Sequence, residues 1–181
     1  MSYAQATGSD GVAPERPRRM WTLLPFLGVA VGLAVLGLLT TTPLASAWFT
    51  DGPRVEWTPQ IWLFTAAWAV IYAVDAVAGW LLWSRRVASD GADIALALYW
   101  VQIGLQAAWL LGFMAQAFVA GAWLWGVFAV IVLLDVVTAI TALSAWRISR
   151  PAAVLLVLVL AWLLFGTALS GAETILRADL T

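Results

Sequence analysis

Cysteine and histidine are both missing from the 181 residues of the chain. Without them it can hold no disulfide framework, no thiolate nucleophile, no Cys/His zinc site and no His or Cys ligand to a haem iron. Charge is scarce as well, at 10% of residues, with 9 Lys+Arg set against 10 Asp+Glu. That balance provides no basic footprint, so nucleic acid is excluded as a partner. Soluble domains carry about 45–50% apolar and about 25% charged residues. Here 64% are hydrophobic, which excludes a soluble enzyme and places the chain in a bilayer. What the sequence has in abundance is tryptophan, 13 in all, a stock of flat aromatic surface that needs a use.

A spanning helix needs about 20 predominantly apolar residues. Five such stretches follow a polar N-terminal tail of residues 1–19. They run from about Met20 to Leu39, Gln60 to Trp83, Ile94 to Met114, Phe118 to Ala145 and Ala152 to Leu169. The breaks carry turn chemistry: Pro43, Gly52, Pro53 and Pro59; Ser84 through Asp90-Gly91; Gly121; and Arg147 through Pro151. The expected fold is an all-α membrane protein, a five-helix transmembrane bundle over residues 20–170 with a C-terminal tail over 171–181. The expected location is the cell membrane, crossed several times. Arg18-Arg19, an apolar stretch and Ala45-Ser46-Ala47 also resemble a signal peptide, but the stretch exceeds the 7–15 residues of a signal core, so retention as the first span is expected.

Arginine placement tests the count, because Lys and Arg concentrate on cytoplasmic ends. Arg16, Arg18, Arg19, Arg85, Arg86, Arg147 and Arg150 fall on one side of a five-span chain, and only Arg54 and Arg177 on the other. The N-terminus is therefore expected in the cytoplasm and the C-terminus outside.

Residues spaced 3, 4, 7, 8 and 11 apart share one side of a helix. Phe64, Trp68, Tyr72, Asp75 and Gly79 form such a stripe in the second span, and Tyr99, Gln102, Gln106, Trp109 and Phe113 another in the third. Leu155, Leu158, Trp162, Phe165 and Leu169 form one in the fifth. Polar side chains in a span face the bundle interior, so these stripes are expected to converge. Any single Trp is better explained by helix packing, and Trp21, Trp83 and Trp146 read as interfacial anchors. Gly104, Ala108 and Gly112 make a small-xxx-small ridge on the opposite face of the third span, the expected contact in a homodimer, and Gly28 and Gly32 a shorter one in the first. Two acids lie at membrane depth with no Lys, Arg or His in any span to pair with. Asp135 reads as an acid bonded to a neighbouring helix, and Asp75, on the Trp68/Tyr72 stripe, as a cavity-lining group.

Trp57-Thr58-Pro59, then Phe64, Trp68 and Tyr72, resembles the W-x-P-P-x-x-x-F-x-x-x-W-x-x-x-Y signature of the TspO/MBR family, the tryptophan-rich sensory and translocator proteins. Tyr99, Gln102-Ile103, Leu105-Gln106, Trp109 and Phe113 resemble its third-helix block, and Ala161-Trp162, Phe165 and Thr167-Ala168-Leu169 its fifth-helix block. The departures are Gln60 for the second Pro, Gln106 for Asn, Leu158-Val159 for Pro-Tyr, Ser170 for a terminal Asn, and Asp75 at a position that is usually apolar. The resemblance implies a five-helix bundle whose pocket is covered by the first loop, about Thr40 to Thr58. It also implies a porphyrin, sterol-like or drug-like ligand, and, in some members, breakdown of protoporphyrin involving tryptophans that match Trp68 and Trp162.

The residues agree in kind. Aromatic walls suit a flat π-system, Gln102 and Gln106 supply hydrogen bonds, and Arg54 is a cation for an anionic group. No covalently bound cofactor and no metal are expected, and the missing His and Cys favour a metal-free tetrapyrrole. The first functional expectation is a membrane sensor, regulator or carrier that binds a hydrophobic ligand through Trp57, Phe64, Trp68, Tyr72, Asp75, Tyr99, Gln102, Gln106, Trp109, Trp162 and Phe165. The alternative is a proton- or cation-coupled transporter using Asp75, although neither broken helices nor an inverted repeat supports it. Catalysis is the third, and no acid–base or nucleophile constellation favours it.

Overall fold

The computed structural model of the chain describes residues 20–40, 55–115 and 124–178. The N-terminal tail, Arg54, most of the first loop and the third break lie outside the described residues. A single 3-10 turn, Met20–Leu23, leads into α1 (Leu24–Thr40). Then follow α2 (Ile61–Arg85), α3 (Ala92–Ala115), α4 (Leu124–Trp146) and α5 (Arg150–Ala178). All five are long and apolar enough to cross a membrane, and no strand occurs among the described residues. The five-span expectation holds, and the protein is a multi-pass membrane protein.

The helix ends follow from local chemistry. Gln60 caps α2 with φ −60° and ψ 140°, a conformation open to proline, so its departure from the expected Pro leaves the backbone path intact. Its side chain accepts a 2.6 Å hydrogen bond from the Trp62 indole. Between α2 and α3 the chain turns through Gly91 at φ +79°, a left-handed conformation that glycine adopts without penalty. Between α4 and α5 the Ala145 carbonyl accepts from the amides of Ile148 and Ser149 at 3.0 and 2.7 Å. Pro151 then sits in the first turn of α5, where its missing N–H breaks no helical bond.

Helix α5 runs beyond the apolar stretch that ended near Leu169. Glu173 and Thr174 are buried, so the polar residues after Ser170 turn inward on the same helix. The buried side of α5 is Ala152, Leu156, Val159 and Leu163, whereas Leu158 is 53% exposed. The expected stripe through Leu158 is therefore corrected. An apolar side chain is as comfortable against lipid as against protein, so leucine spacing alone does not identify the inner face.

The helices close a ring in the order α1, α2, α5, α4, α3, with α2 and α3 also touching across it. Polar ties hold neighbours together: Trp80 Nε1 donates to Thr22 Oγ1 at 3.0 Å, and Thr167 Oγ1 to Asp135 Oδ2 at 2.7 Å. Asp135 thus bonds a neighbouring helix, as expected. Hydroxyls without such partners bond their own helix, as Thr138 does to the Leu134 carbonyl at 2.8 Å and Ser144 to Ile140 at 2.8 Å. Trp21 and Trp146 are exposed, and the Arg86 guanidinium lies 3.5 Å above the Trp83 ring, which suits all three to one interface of the bilayer.

Gly79 of α2 makes room for the Tyr99 ring of α3, because a Cβ there would overlap that ring. Gly79→Ala is expected to lower stability by about 1–3 kcal/mol through overpacking. Gly28→Ala, whose Cβ would meet nothing, is expected to change it by less than about 0.5 kcal/mol. Unfolding in detergent micelles, followed by circular dichroism, compares the two; equal effects would contradict this packing.

Candidate ligand-binding site

A cavity of about 90 Å³ opens in the half of the bundle away from the Arg85–Arg86 and Arg147–Arg150 turns. Helix α2 provides Phe64, Trp68 and Tyr72 along one face, with Thr65 and Ala69 beside them. Trp109, Leu110 and Phe113 come from α3. From α1 come the smaller Ala34 and Gly37, with Leu38. Helix α5 closes the far side with Gly166 and Leu169, then adds Ser170, Glu173 and Thr174. The walls are apolar and aromatic, and the polar groups of α5 gather at one end.

The aromatic residues expected at the site come together as one connected group, except Tyr99, which packs on Phe26 and Trp100 instead. Trp68 stacks on Trp109 with centroids 5.4 Å apart and planes at 27°. It meets Trp162 edge-on at 6.0 Å and Tyr72 at 5.4 Å. Phe64 bridges Trp68 and Trp162 at 6.1 and 5.9 Å. Trp57 meets Phe165 of α5 edge-on at 5.9 Å, and Phe165 lies 5.3 Å from Trp162 with the planes tilted by 34°. Such offset and edge-on pairs add about 0.5–1.5 kcal/mol each beyond their buried area. Of this group Phe64, Trp68, Tyr72 and Trp109 line the cavity, while Trp57, Trp162 and Phe165 stand behind them. The indole N–H groups of Trp68, Trp109 and Trp162 are buried without a partner among the described residues.

Asp75 does not line the cavity. It is enclosed one turn deeper, where Gln102 Nε2 donates to its two carboxylate oxygens at 3.0 and 3.1 Å and Gln106 Nε2 to Oδ2 at 2.8 Å. The reading of Asp75 as a cavity-lining group is corrected: it is clasped by α3, because the stripe that carries it faces α3 as well as the cavity. Tyr99, Gln102 and Gln106 are likewise buried below the cavity and absent from its lining. Tyr72 connects the two layers, since it lines the cavity and lies one helical turn before Asp75 on α2.

Two sets of lining residues were not expected. The α1 wall gave no aromatic or polar signal, although Ala34 and Gly37 lie at the helical spacing of the buried Ala30 and Leu33. Glu173 is buried at the polar end, where it accepts a long 3.4 Å hydrogen bond from Thr58. Continuing the α5 face from Gly166 by threes and fours would have reached it. On the outer face of α3, Gly104 and Ala108 are exposed, but a Cβ at Gly112 would meet Val127 of α4 at 3.0 Å. Gly112 is therefore a packing position inside the chain, which corrects its place on an outward ridge.

The Asp75 clasp makes a stability prediction. Asp75→Leu removes the acceptor of three hydrogen bonds and is expected to destabilise by about 1–3 kcal/mol for each amide left buried without a partner. Replacing Asp75, Gln102 and Gln106 together with leucine is expected to restore stability, because no polar group is then stranded. Chemical unfolding in micelles measures both. A triple variant weaker than the single one would show that the clasp contributes net stability.

The sequence profile of the TspO/MBR family matches residues 23–174, most of the chain and every cavity-lining residue. A tryptophan-rich protein TspO of Chlorobaculum tepidum is 26% identical over 154 residues, covering 84% of this chain and 94% of that protein. Another of the same name from Archaeoglobus fulgidus is 28% identical over 151 residues, covering 83% and 92%. A translocator protein of Bos taurus is 29% identical over 153 residues, covering 84% and 85%. The five-span architecture and the profile match agree: the chain belongs to the TspO/MBR family.

Proposed function

We propose that the protein binds a hydrophobic small molecule, a porphyrin or a sterol-like compound, in the cavity between α1, α2, α3 and α5, and serves as its sensor, regulator or carrier. The observation that carries this reading is the cavity itself, with aromatic walls on α2 and α3 and polar groups gathered at the α5 end. Small-molecule sites have this character, mostly apolar with a few placed polar groups. The name translocator protein, carried by the mammalian relatives, agrees with the handling of a mobile ligand.

Size constrains how a ligand enters. One water needs about 10–15 Å³ of such space, so about 90 Å³ holds a handful of waters and less than a porphyrin. The stacked Trp68 and Trp109 rings leave no slot between them for a flat guest. A broad ligand therefore lies against the cavity-facing aromatic side and enlarges the space at α1, which buries only Phe26, Ala30 and Leu33. With the arginine-bearing end in the cytoplasm, the cavity faces the outer half of the bilayer. A homodimer formed through α3 would meet at Gly104 and Ala108, which face outward.

Protoporphyrin IX and a soluble cholesterol ester, each titrated into protein in nanodiscs, are the test probes. Binding is expected to quench or shift tryptophan emission, with most of the change lost in Trp68→Phe. Gly37→Leu projects a side chain toward the cavity, where the nearest atom to its Cβ is 4.0 Å away. It is expected to weaken binding at least about tenfold, or about 1.4 kcal/mol, with thermal stability unchanged. Absence of any response to either probe at micromolar concentration would sink the proposal.

A further inference from the structure

Ligand binding in the cavity leaves the polar cluster beneath it without a role. Asp75, Gln102 and Gln106 are 1%, 0% and 1% exposed, enclosed between α2 and α3. Both amide N–H₂ groups are turned toward the carboxylate, and both amide oxygens, Gln102 Oε1 and Gln106 Oε1, are buried with no donor among the described residues. Four oxygens therefore share a few amide hydrogens, and the carboxylate has no countercharge among the described residues. Helix α1 carries no titratable residue, and α5 carries none between Arg150 and Glu173. The one titratable residue of α4 is Asp135, which is bonded to Thr167. The neighbouring titratable groups on α2 and α3 are Tyr72 and Tyr99, both phenols.

A bare carboxylate is unstable at membrane depth, and buried acceptors without donors add to the cost. One small cation corrects both faults. We propose that Asp75, Gln102 and Gln106 form a buried site for a single monovalent cation, either a proton or Na⁺. A proton taken from water onto the carboxylate makes an O–H donor. It reaches an amide oxygen once one glutamine turns half a revolution about its terminal torsion, a soft two-fold rotation. The other glutamine continues to donate. Na⁺ would instead use the carboxylate and both turned amide oxygens, the hard donors that such ions take in the broken helices of transporters. The site is separate from the cavity lining, which includes none of the three residues. It stands whether or not the cavity above it holds a ligand.

Infrared spectroscopy of the protein in nanodiscs, in choline buffer free of Na⁺, tests the site directly. At neutral pH a protonated-carboxyl C=O band is expected that disappears in Asp75→Asn and changes frequency in Gln106→Leu, while any band of Asp135 stays in both. Asp75→Glu, which keeps the acid, is expected to move the band and so serves where Asp75→Asn does not fold. If added Na⁺ leaves the band unchanged, the cation is a proton. If Na⁺ abolishes it, or shifts the carboxylate stretches of an already ionised Asp75, the cation is Na⁺. An ionised Asp75 whose bands do not respond to Na⁺ overturns the proposal.

Discussion

Hydrocarbon offers no hydrogen bonds, and that constraint orders this bundle. A strongly polar side chain within a span is driven toward the protein interior, and in turning there it fixes how its helix is rotated. Asp75 is turned toward Gln102 and Gln106 of α3. On the helix that carries Asp75, Tyr72 and Trp68 lie three and seven residues earlier and must share its inward side. On α3, Trp109 lies three residues beyond Gln106 and turns inward with it. The Trp68–Trp109 stack is thus held in register by a polar clasp one turn below it. The Asp135–Thr167 bond does the same for α4 and α5.

Apolar packing is less directive in a membrane, because lipid tails are as apolar as leucine. The consequence is visible in the asymmetry of the cavity. Two walls, on α2 and α3, are built of large rings anchored by the clasp. The α1 wall is built of Ala34 and Gly37, small side chains that leave space unfilled. Under the proposed function, a wall of large rings facing a wall of small residues suits guests of different breadth, and the polar end at Glu173 would orient a guest with one polar tip and an apolar body.

Much of this was legible in the sequence, and the exceptions share a cause. Five apolar stretches, punctuated by Gly91 and Pro151, gave the helices and their number. Aromatic and amide spacing gave the inward sides of α2 and α3, since glutamine and aspartate have only one tolerable direction in lipid. Where a side is marked only by apolar or small residues, the signal fails. Leu158 fits a helical stripe yet faces lipid, Gly112 fits a dimer ridge yet packs on Val127, and Gly37 carries no pattern yet lines the cavity. Glu173 was hidden differently, because a polar run after Leu169 reads as the end of a span. Asp75 was rightly read as inward; its enclosure by two amides depends on how α2 and α3 are set against each other, which no single-helix pattern contains.

The central claim is that the cavity is a ligand site rather than a packing defect. Photo-crosslinking addresses it most directly, using a diazirine-bearing sterol in nanodiscs with and without excess unlabelled sterol, and mapping the labelled residues by mass spectrometry. Competable labelling is predicted within Phe64–Tyr72, Leu110–Phe113 and Gly166–Thr174, the segments that line the cavity. Labelling confined to lipid-facing positions such as Val101, Leu133 and Val157, and unaffected by competitor, would contradict it.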